Sequence, residues 1–164
     1  MQRVRRTAIV GFEKETTLVQ LDLVPLLELA RSVSGAAERF FHADDPGEVR
    51  LKGDRDMVSD TDVTIERTIR TTLRAQTPSF GFLGEEEGED RPDAATRWIL
   101  DPVDGTANFI RDLPLCGISL ALVHEQTPVL GVIDLPYCGA GTGPRPGSGH
   151  GATGNASRLP RRPH

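Results

Sequence analysis

The segment from Trp98 to Phe109, WILDPVDGTANF, constrains the fold of this chain more than any other part of its sequence. An apolar run leads directly into Asp101, and Pro102 predicts that the strand stops there because proline lacks a ladder donor. Asp104 follows three residues after Asp101, just ahead of Gly105. Carboxylates on a tight turn at a strand end converge on one point, which disfavours their ionisation unless a cation is present. The segment therefore predicts a cation site.

Two further acidic clusters lie at Asp56 to Asp62 and at Glu85 to Asp90. Taken alone, such runs are typical of solvated loops and helix caps. Together with Asp101 and Asp104 they supply the hard oxygen ligands that suit Mg²⁺, which prefers a few carboxylates, waters and a substrate phosphate. The segment after Asp104 is expected near a helix start, where free N–H groups favour a phosphate anion.

The first half of the chain carries two helical patterns. Apolar residues recur at spacings of three and four over residues 23–41, which predicts an amphipathic helix. The polar stretch from His42 to Gly53 predicts a loop. Residues Asp60 to Asp62 are of the helix-cap type, and they precede a second helix that should end before Pro78.

Short apolar runs in the second half predict strands. They lie at Arg97 to Leu100, Gly117 to Val123 and Val129 to Leu135, and the last two are joined by a polar turn from His124 to Pro128. Phe80 and Phe82 to Leu83 form a further short apolar run that an acidic stretch closes. Strands separated by helices and followed by adjacent strands predict a layered, mixed α/β domain.

Composition excludes several classes of protein. The 164 residues have room for one domain with a core, and no apolar run approaches the roughly 18–20 residues of a membrane span. The net charge of −5 argues against a nucleic-acid partner. Two cysteines, Cys116 and Cys138, cannot form a disulfide framework, which favours a reducing compartment. We therefore expect a cytoplasmic protein without membrane or nucleic-acid partners.

Residues 139–164 differ from the rest of the chain. They contain seven glycines, four prolines and four arginines, with no acidic residue. They show neither helical nor strand periodicity, so we expect a disordered tail after a domain formed by residues 1–138.

Five motifs in order resemble the inositol monophosphatase family of Mg²⁺-dependent, lithium-sensitive sugar phosphatases. They are DMVSDTD at Asp56 to Asp62, GEE at Gly84 to Glu86, DPVDGTANF at Asp101 to Phe109, LPLCGISLALV at Leu113 to Val123 and GVIDLP at Gly131 to Pro136. The resemblance covers roughly residues 20–138. It implies the N-terminal half of a layered α-β-α-β-α fold, with helices packed on a mixed, mainly antiparallel sheet. It also implies Mg²⁺-dependent hydrolysis of a small phosphate monoester.

The resemblance also implies a set of metal ligands. Glu85, Asp101 and the backbone carbonyl of Val103 resemble the ligands of a first Mg²⁺. Asp101 and Asp104 resemble those of a second ion, with Asp101 bridging the two. Glu85 is also expected among the groups that bind the substrate.

The remaining implied roles concern the attacking water and the phosphate. Thr106 and Asp56 resemble the pair that orients and helps deprotonate the water. Gly105 and Thr106 would offer backbone N–H groups to the phosphate. Glu86 resembles a neighbour that supports the site, and Lys52 fills a family position near the phosphate.

Two interpretations of function stay open on the sequence. Family members carry a further metal-binding aspartate in a Trp-Asp-x-Ala type motif, together with most substrate-selecting residues, whereas the single tryptophan here, Trp98, belongs to the Asp101 segment. The chain is thus either a phosphatase or a truncated, catalytically impaired remnant with a partial metal site. Inositol, histidinol, fructose and nucleotide 3′-phosphates all stay open as substrates, as does a homo-oligomer formed through an exposed apolar patch.

Overall fold

The computed structural model describes residues 7–9, 21–43, 47–51 and 57–138. Within these ranges the helices are α1 (Leu23–Phe41), α2 (Asp60–Gln76) and α3 (Thr106–Ile110). The strands are β1 (Thr7–Ile9), β2 (Val49–Leu51), β3 (Met57–Ser59), β4 (Gly81–Gly84), β5 (Gly88–Asp90), β6 (Thr96–Asp104), β7 (Gly117–His124) and β8 (Thr127–Asp134). The expected mixed α/β architecture is confirmed.

Six of the strands form one sheet in the order β1-β8-β7-β6-β4-β5. Strands β4 and β6 are parallel, and every other neighbouring pair in this sheet is antiparallel. The sheet is therefore mixed and mainly antiparallel, as the family resemblance implied. Strands β2 and β3 form a separate antiparallel pair.

Helices α1 and α2 pack on one face of the large sheet and enclose the core. Alternate residues of the central strands point toward them, because side chains alternate between the two faces of a strand. The core members that are at most 2% exposed are Ala30, Ala37, Phe41, Ile65, Ile69, Leu73, Trp98, Leu100, Val103, Phe109, Ile118, Leu120, Leu122 and Val132. Asp101 follows Leu100 and so belongs to the opposite face, at the end of the sheet where β6 approaches α3.

The expected loop from His42 to Gly53 is wrong in part, because it contains strand β2. All three residues of β2 are exposed, so no buried face marks the strand in the sequence. Its register with β3 places Arg50 opposite Val58, and an ion pair of 2.7 Å joins Arg50 to Asp60 at the start of α2. Cross-strand and terminal contacts, rather than burial, define this strand.

Two other boundaries differ from expectation. Strand β6 does not stop at Asp101–Pro102 but continues to Asp104, because an irregularity in its register with β7 between Asp101 and Asp104 absorbs the proline. The turn between β7 and β8 is only two residues long. Glu125 and Gln126 form it with φ values of 45° and 67°, the positive-φ pattern of a tight hairpin.

Two expectations from composition concerned membrane spans and disulfides. None of the described helices is long and apolar enough to cross a membrane. Cys116 and Cys138 are both free thiols, the first buried and the second exposed.

Candidate active site

The parallel pairing of β4 and β6 brings two acidic segments together. Gly84 is in register with Leu100, and the Glu85 N–H donates to the Leu100 carbonyl at 3.2 Å. Because parallel strands end at the same edge of a sheet, Glu85 leaves β4 beside Asp101. A hydrogen bond then links the Glu85 and Asp101 side chains.

Electrostatics at Asp101 are unfavourable in the absence of a cation. The pKa of Asp101 is raised to about 7, first by burial and then by the charge of Glu85, the hydrogen bond to Glu85 and the charge of Asp104. A backbone hydrogen bond from Val103 lowers this pKa by a smaller amount. The Oδ1 atom of Asp101 is buried and has no hydrogen-bond partner among the described residues. An unpaired oxygen among three carboxylates fits a hard divalent cation.

The side chains do not form a ready-made metal cage. In the ranges that the structure describes, no group of three or more His, Cys, Asp or Glu side chains has the arrangement that holds a metal ion. Glu85 and Asp104 are exposed whereas Asp101 is half-buried. Glu85 already contacts Asp101, so binding a cation would require the exposed side chains of Glu85 and Asp104 to adjust their positions around it.

The turn from β6 into α3 depends on Gly105. This residue has φ of +89°, a backbone conformation that glycine adopts without a Cβ penalty. A Cβ at this position would lie 2.8 Å from the Leu115 carbonyl oxygen. The glycine therefore lets the chain enter α3 directly, which places Thr106 as the first residue of that helix.

Thr106 joins this turn to helix α2. Its Oγ1 lies 2.9 Å from the Val103 carbonyl oxygen and 3.0 Å from Asp62 Oδ1. Asp62 is 1% exposed, and its other oxygen accepts hydrogen bonds from the N–H of Ser59, at 2.9 Å, and from the Ser59 hydroxyl. A carboxylate of α2 is thereby fixed against the hydroxyl of α3.

The predicted site residues are thus partly assembled. Among the described residues, Glu85, Asp101, Val103, Asp104, Gly105 and Thr106 lie in one region. Lys52 and Asp56 lie outside the described residues, so their roles stay predictions. The described carboxylate that contacts Thr106 is Asp62, which the sequence marked only as a helix-cap residue.

Sequence reasoning also missed Glu66, a glutamate of α2 that is 0% exposed. It accepts hydrogen bonds from the backbone N–H groups of Glu86 and Glu87. The sequence did contain one indication of this buried position, because the helical spacing places Glu66 on the same helix face as Asp62, Ile65 and Ile69. A carboxylate on an apolar face indicates a buried polar contact.

A cavity of about 320 Å³ opens beside Asp104. Its walls are Asp104, Gly105, Asn108, Leu115, Cys116, Gly117, Ile118, Ile133 and Leu135. Its volume falls within the range of small-molecule sites, about 300–1,000 Å³. Leu115 is 72% exposed and Ile133 41% exposed, so part of the apolar wall of this cavity is open to solvent.

Comparison with known proteins gives one consistent result. The chain is 46% identical over 87 residues to inositol-1-monophosphatase of Rhizobium meliloti, an alignment that covers 52% of this chain and 32% of that protein. It is 37% identical over 118 residues to the probable inositol 1-monophosphatase ImpA of Mycobacterium tuberculosis, covering 70% and 43%.

Solved structures with a similar fold were also found. The extragenic suppressor protein suhB of Bartonella henselae superposes with a TM-score of 0.65 and 35% identity, covering 68% of this chain and 45% of that one. The chain thus spans about a third to less than half of the length of these relatives. A sequence model of the Inositol monophosphatase family matches residues 22–162, a range that extends beyond residue 138 into residues the structure does not describe. This chain therefore belongs to the inositol monophosphatase family.

Proposed function

We propose that this chain hydrolyses a small phosphate monoester with the help of Mg²⁺. The observation that carries the proposal is the Glu85–Asp101–Asp104 carboxylate group, in which one buried oxygen of Asp101 lacks a partner among the described residues and the pKa of Asp101 is raised to about 7. Membership of a family whose named relatives are phosphatases supports the same reaction class.

The donors suited to Mg²⁺ are the carboxylates of Glu85, Asp101 and Asp104 and the carbonyl oxygen of Val103. Mg²⁺ bound there would lower the pKa of a coordinated water molecule and neutralise negative charge on the phosphate. The Val103 carbonyl already accepts from Thr106, but a carbonyl oxygen has two lone pairs and can serve both partners.

Thr106 and Asp62 position the attacking water in this proposal. A hydroxyl has one proton, so Thr106 donates to either Asp62 or the Val103 carbonyl and keeps a lone pair for a proton of water. Asp62 then accepts the proton that Thr106 passes on. This assigns to Asp62 the role that the family resemblance placed on Asp56, because Asp62 is the described carboxylate within reach of Thr106.

The phosphate is placed at the turn formed by Gly105 and Thr106. The first N–H groups of a helix have no acceptor within the helix, and the backbone of Gly105 is free of any side chain that would block an approaching anion. Attack of the water on phosphorus then breaks the ester P–O bond, the leaving alkoxide takes up a proton from solvent, and the alcohol and inorganic phosphate are released while Asp62 returns its proton to solvent. The neighbouring cavity offers room for the alcohol part.

The substrate class is a small polyol or amino-alcohol phosphate. The relatives include proteins named inositol-1-monophosphatase, histidinol-phosphatase, and fructose-1,6-bisphosphatase/inositol-1-monophosphatase. Inositol 1-phosphate is the first substrate to test, since the name of that activity recurs among them. The implied homo-oligomer stays a prediction.

The test is phosphate release from inositol 1-phosphate with and without Mg²⁺. We expect activity that requires Mg²⁺, is lost in Asp101→Asn and is kept in Glu89→Gln, a control that removes a carboxylate of β5 whose ion-pair partner among the described residues is Arg97 of β6. Histidinol phosphate and fructose 1,6-bisphosphate complete the panel. A folded chain that releases no phosphate from any of them would refute the proposal and favour the impaired remnant.

A further inference from the structure

A buried glutamate of α2 holds the turn that carries Glu85. Glu66 is 0% exposed. Its Oε2 accepts from the Glu86 N–H at 2.7 Å and its Oε1 accepts from the Glu87 N–H at 2.9 Å. One side chain therefore uses both oxygens to fix two consecutive peptide groups directly after Glu85.

Arg70 completes this anchor from the next turn of α2. Its Nη2 lies 2.7 Å from Glu66 Oε1 and 2.8 Å from the Gly88 carbonyl oxygen. The guanidinium also lies over the ring of Phe82, 4.7 Å from its centroid. Two residues of α2 thus bind the turn between β4 and β5 at three backbone groups.

Glu85 is held from both sides as a result. Its own N–H is bonded to Leu100 of β6, and the next two N–H groups are bonded to Glu66. The Glu66 carboxylate also lies directly against Gly84, where an added Cβ would overlap both of its oxygens. The residue before Glu85 is therefore confined as well, and the backbone of Glu85 has little freedom to shift away from Asp101.

Packing of α2 against the sheet does not require this arrangement. Ile65, Ile69 and Leu73 already fill the interface and are at most 1% exposed. A buried carboxylate costs free energy unless it is fully paired. Among the described residues, Glu66 pairs with Arg70 and with the backbone of the Glu85 turn, so its buried charge fixes the geometry of that turn.

We propose that Glu66 is a positioning residue that sets the affinity of the Glu85–Asp101–Asp104 site for a divalent cation. The inference rests on the proposed function, because it takes Glu85, which this turn carries, as a ligand of the cation. Residues that orient metal ligands from outside typically change metal affinity by about 10–100-fold when mutated. Glu66 makes this contribution through backbone groups and not through a ligand side chain.

The test combines Mn²⁺ binding, followed by EPR, with NMR hydrogen exchange of the Glu86 and Glu87 amides. In Glu66→Gln one of the two acceptors becomes a donor, so at least one of these amides should exchange about tenfold faster. The Kd for Mn²⁺ should rise about 10–100-fold. Glu89→Gln, which changes the charge equally but does not touch the turn, should bind Mn²⁺ like wild type.

A merely structural role would lower the melting temperature and leave the Mn²⁺ affinity of the folded chain unchanged, and that result would overturn the proposal. Glu66→Asp provides a second route if Glu66→Gln does not fold, because it keeps the charge for Arg70 but is one methylene too short to reach both N–H groups. Wild-type Mn²⁺ affinity in a folded Glu66→Asp chain would equally overturn it. A wild-type chain that binds no Mn²⁺ would instead refute the proposed function, and the metal role of Glu66 with it.

Discussion

The hydroxyl of Thr106 lies 3.0 Å from the carboxylate of Asp62, across 44 positions of the chain. This contact joins the first turn of α3 to the first turn of α2. It also places a hydroxyl and a buried carboxylate next to the turn that carries Asp101 and Asp104. Two helices that are far apart in the sequence therefore contribute to one site.

Thr106→Val should reduce phosphate release far more than it reduces stability. Valine keeps the shape of threonine but cannot accept a proton from water or relay it, and loss of such a proton-transfer group costs about 10²–10⁴-fold in rate. Loss of the hydroxyl, which leaves the buried Asp62 carboxylate with one donor fewer, should lower the free energy of unfolding by about 1–3 kcal/mol. Steady-state phosphate release and urea unfolding would measure the two effects.

The matched control is Thr72→Val. Thr72 is an exposed residue of α2 whose hydroxyl bonds to the Thr68 carbonyl one turn earlier. The same substitution there should leave phosphate release unchanged. Equal rates in Thr106→Val and wild type would remove Thr106 from the proposed mechanism.

Gly105→Ala should destabilise the chain by about 1–3 kcal/mol. The residue has φ of +89°, which alanine adopts only with strain, and its Cβ would meet the Leu115 carbonyl. Gly131→Ala is the control, since a Cβ there meets no atom within 4 Å. Urea unfolding of both variants should show a large loss for the first and little change for the second; equal losses would contradict this account of the turn.

Much of the site could be predicted from local sequence, because it depends on short-range geometry. An apolar strand that runs into Asp101 and Asp104 marks the acidic strand end without knowledge of the fold. The proximity of Glu85 to Asp101, in contrast, could not be predicted from local sequence. It arises from the parallel pairing of β4 and β6, a long-range register that neither segment encodes alone.

Charged residues on α2 were the hardest to interpret from sequence. Asp62 looks like an ordinary helix cap, and its contact with Thr106 exists only once α2 is docked on the sheet. Glu66 interrupts an otherwise apolar helix face, and its partners are backbone N–H groups that no side-chain pattern reveals. The exposed strand β2 was missed for the opposite reason, since it buries no residue that would mark it.

Without metal, Asp101 should make the chain less stable as the pH rises from about 4 to about 7. The pKa of Asp101 is raised from 3.8 to about 7 in the folded chain. In this interval the folded chain retains a proton that the unfolded chain has lost, so folding takes up a proton and becomes less favourable as protons are removed. Above pH 7 the effect of this group should level off.

Urea unfolding of wild type and Asp101→Asn in EDTA, between pH 4 and pH 8, checks this sign. The asparagine variant resembles the protonated form of Asp101. Its free energy of unfolding should therefore exceed that of wild type by little at pH 4 and by most above pH 7. Asp93→Asn, on the exposed segment before β6, controls for the loss of one carboxylate. A difference in free energy of unfolding that stays constant or decreases as the pH rises would contradict the assigned environment of Asp101.

Mg²⁺ should reverse this loss of stability. A cation that binds only the folded chain stabilises it, by about 2.7 kcal/mol at a hundredfold excess over its Kd. Because Asp101 must give up its proton to act as a ligand, the stabilisation should be larger at pH 8 than at pH 6. Thermal unfolding with Mg²⁺ or EDTA at both pH values measures the effect. Asp93→Asn should respond like wild type and Asp101→Asn should not, whereas an equal response in both variants would place the bound cation away from Asp101.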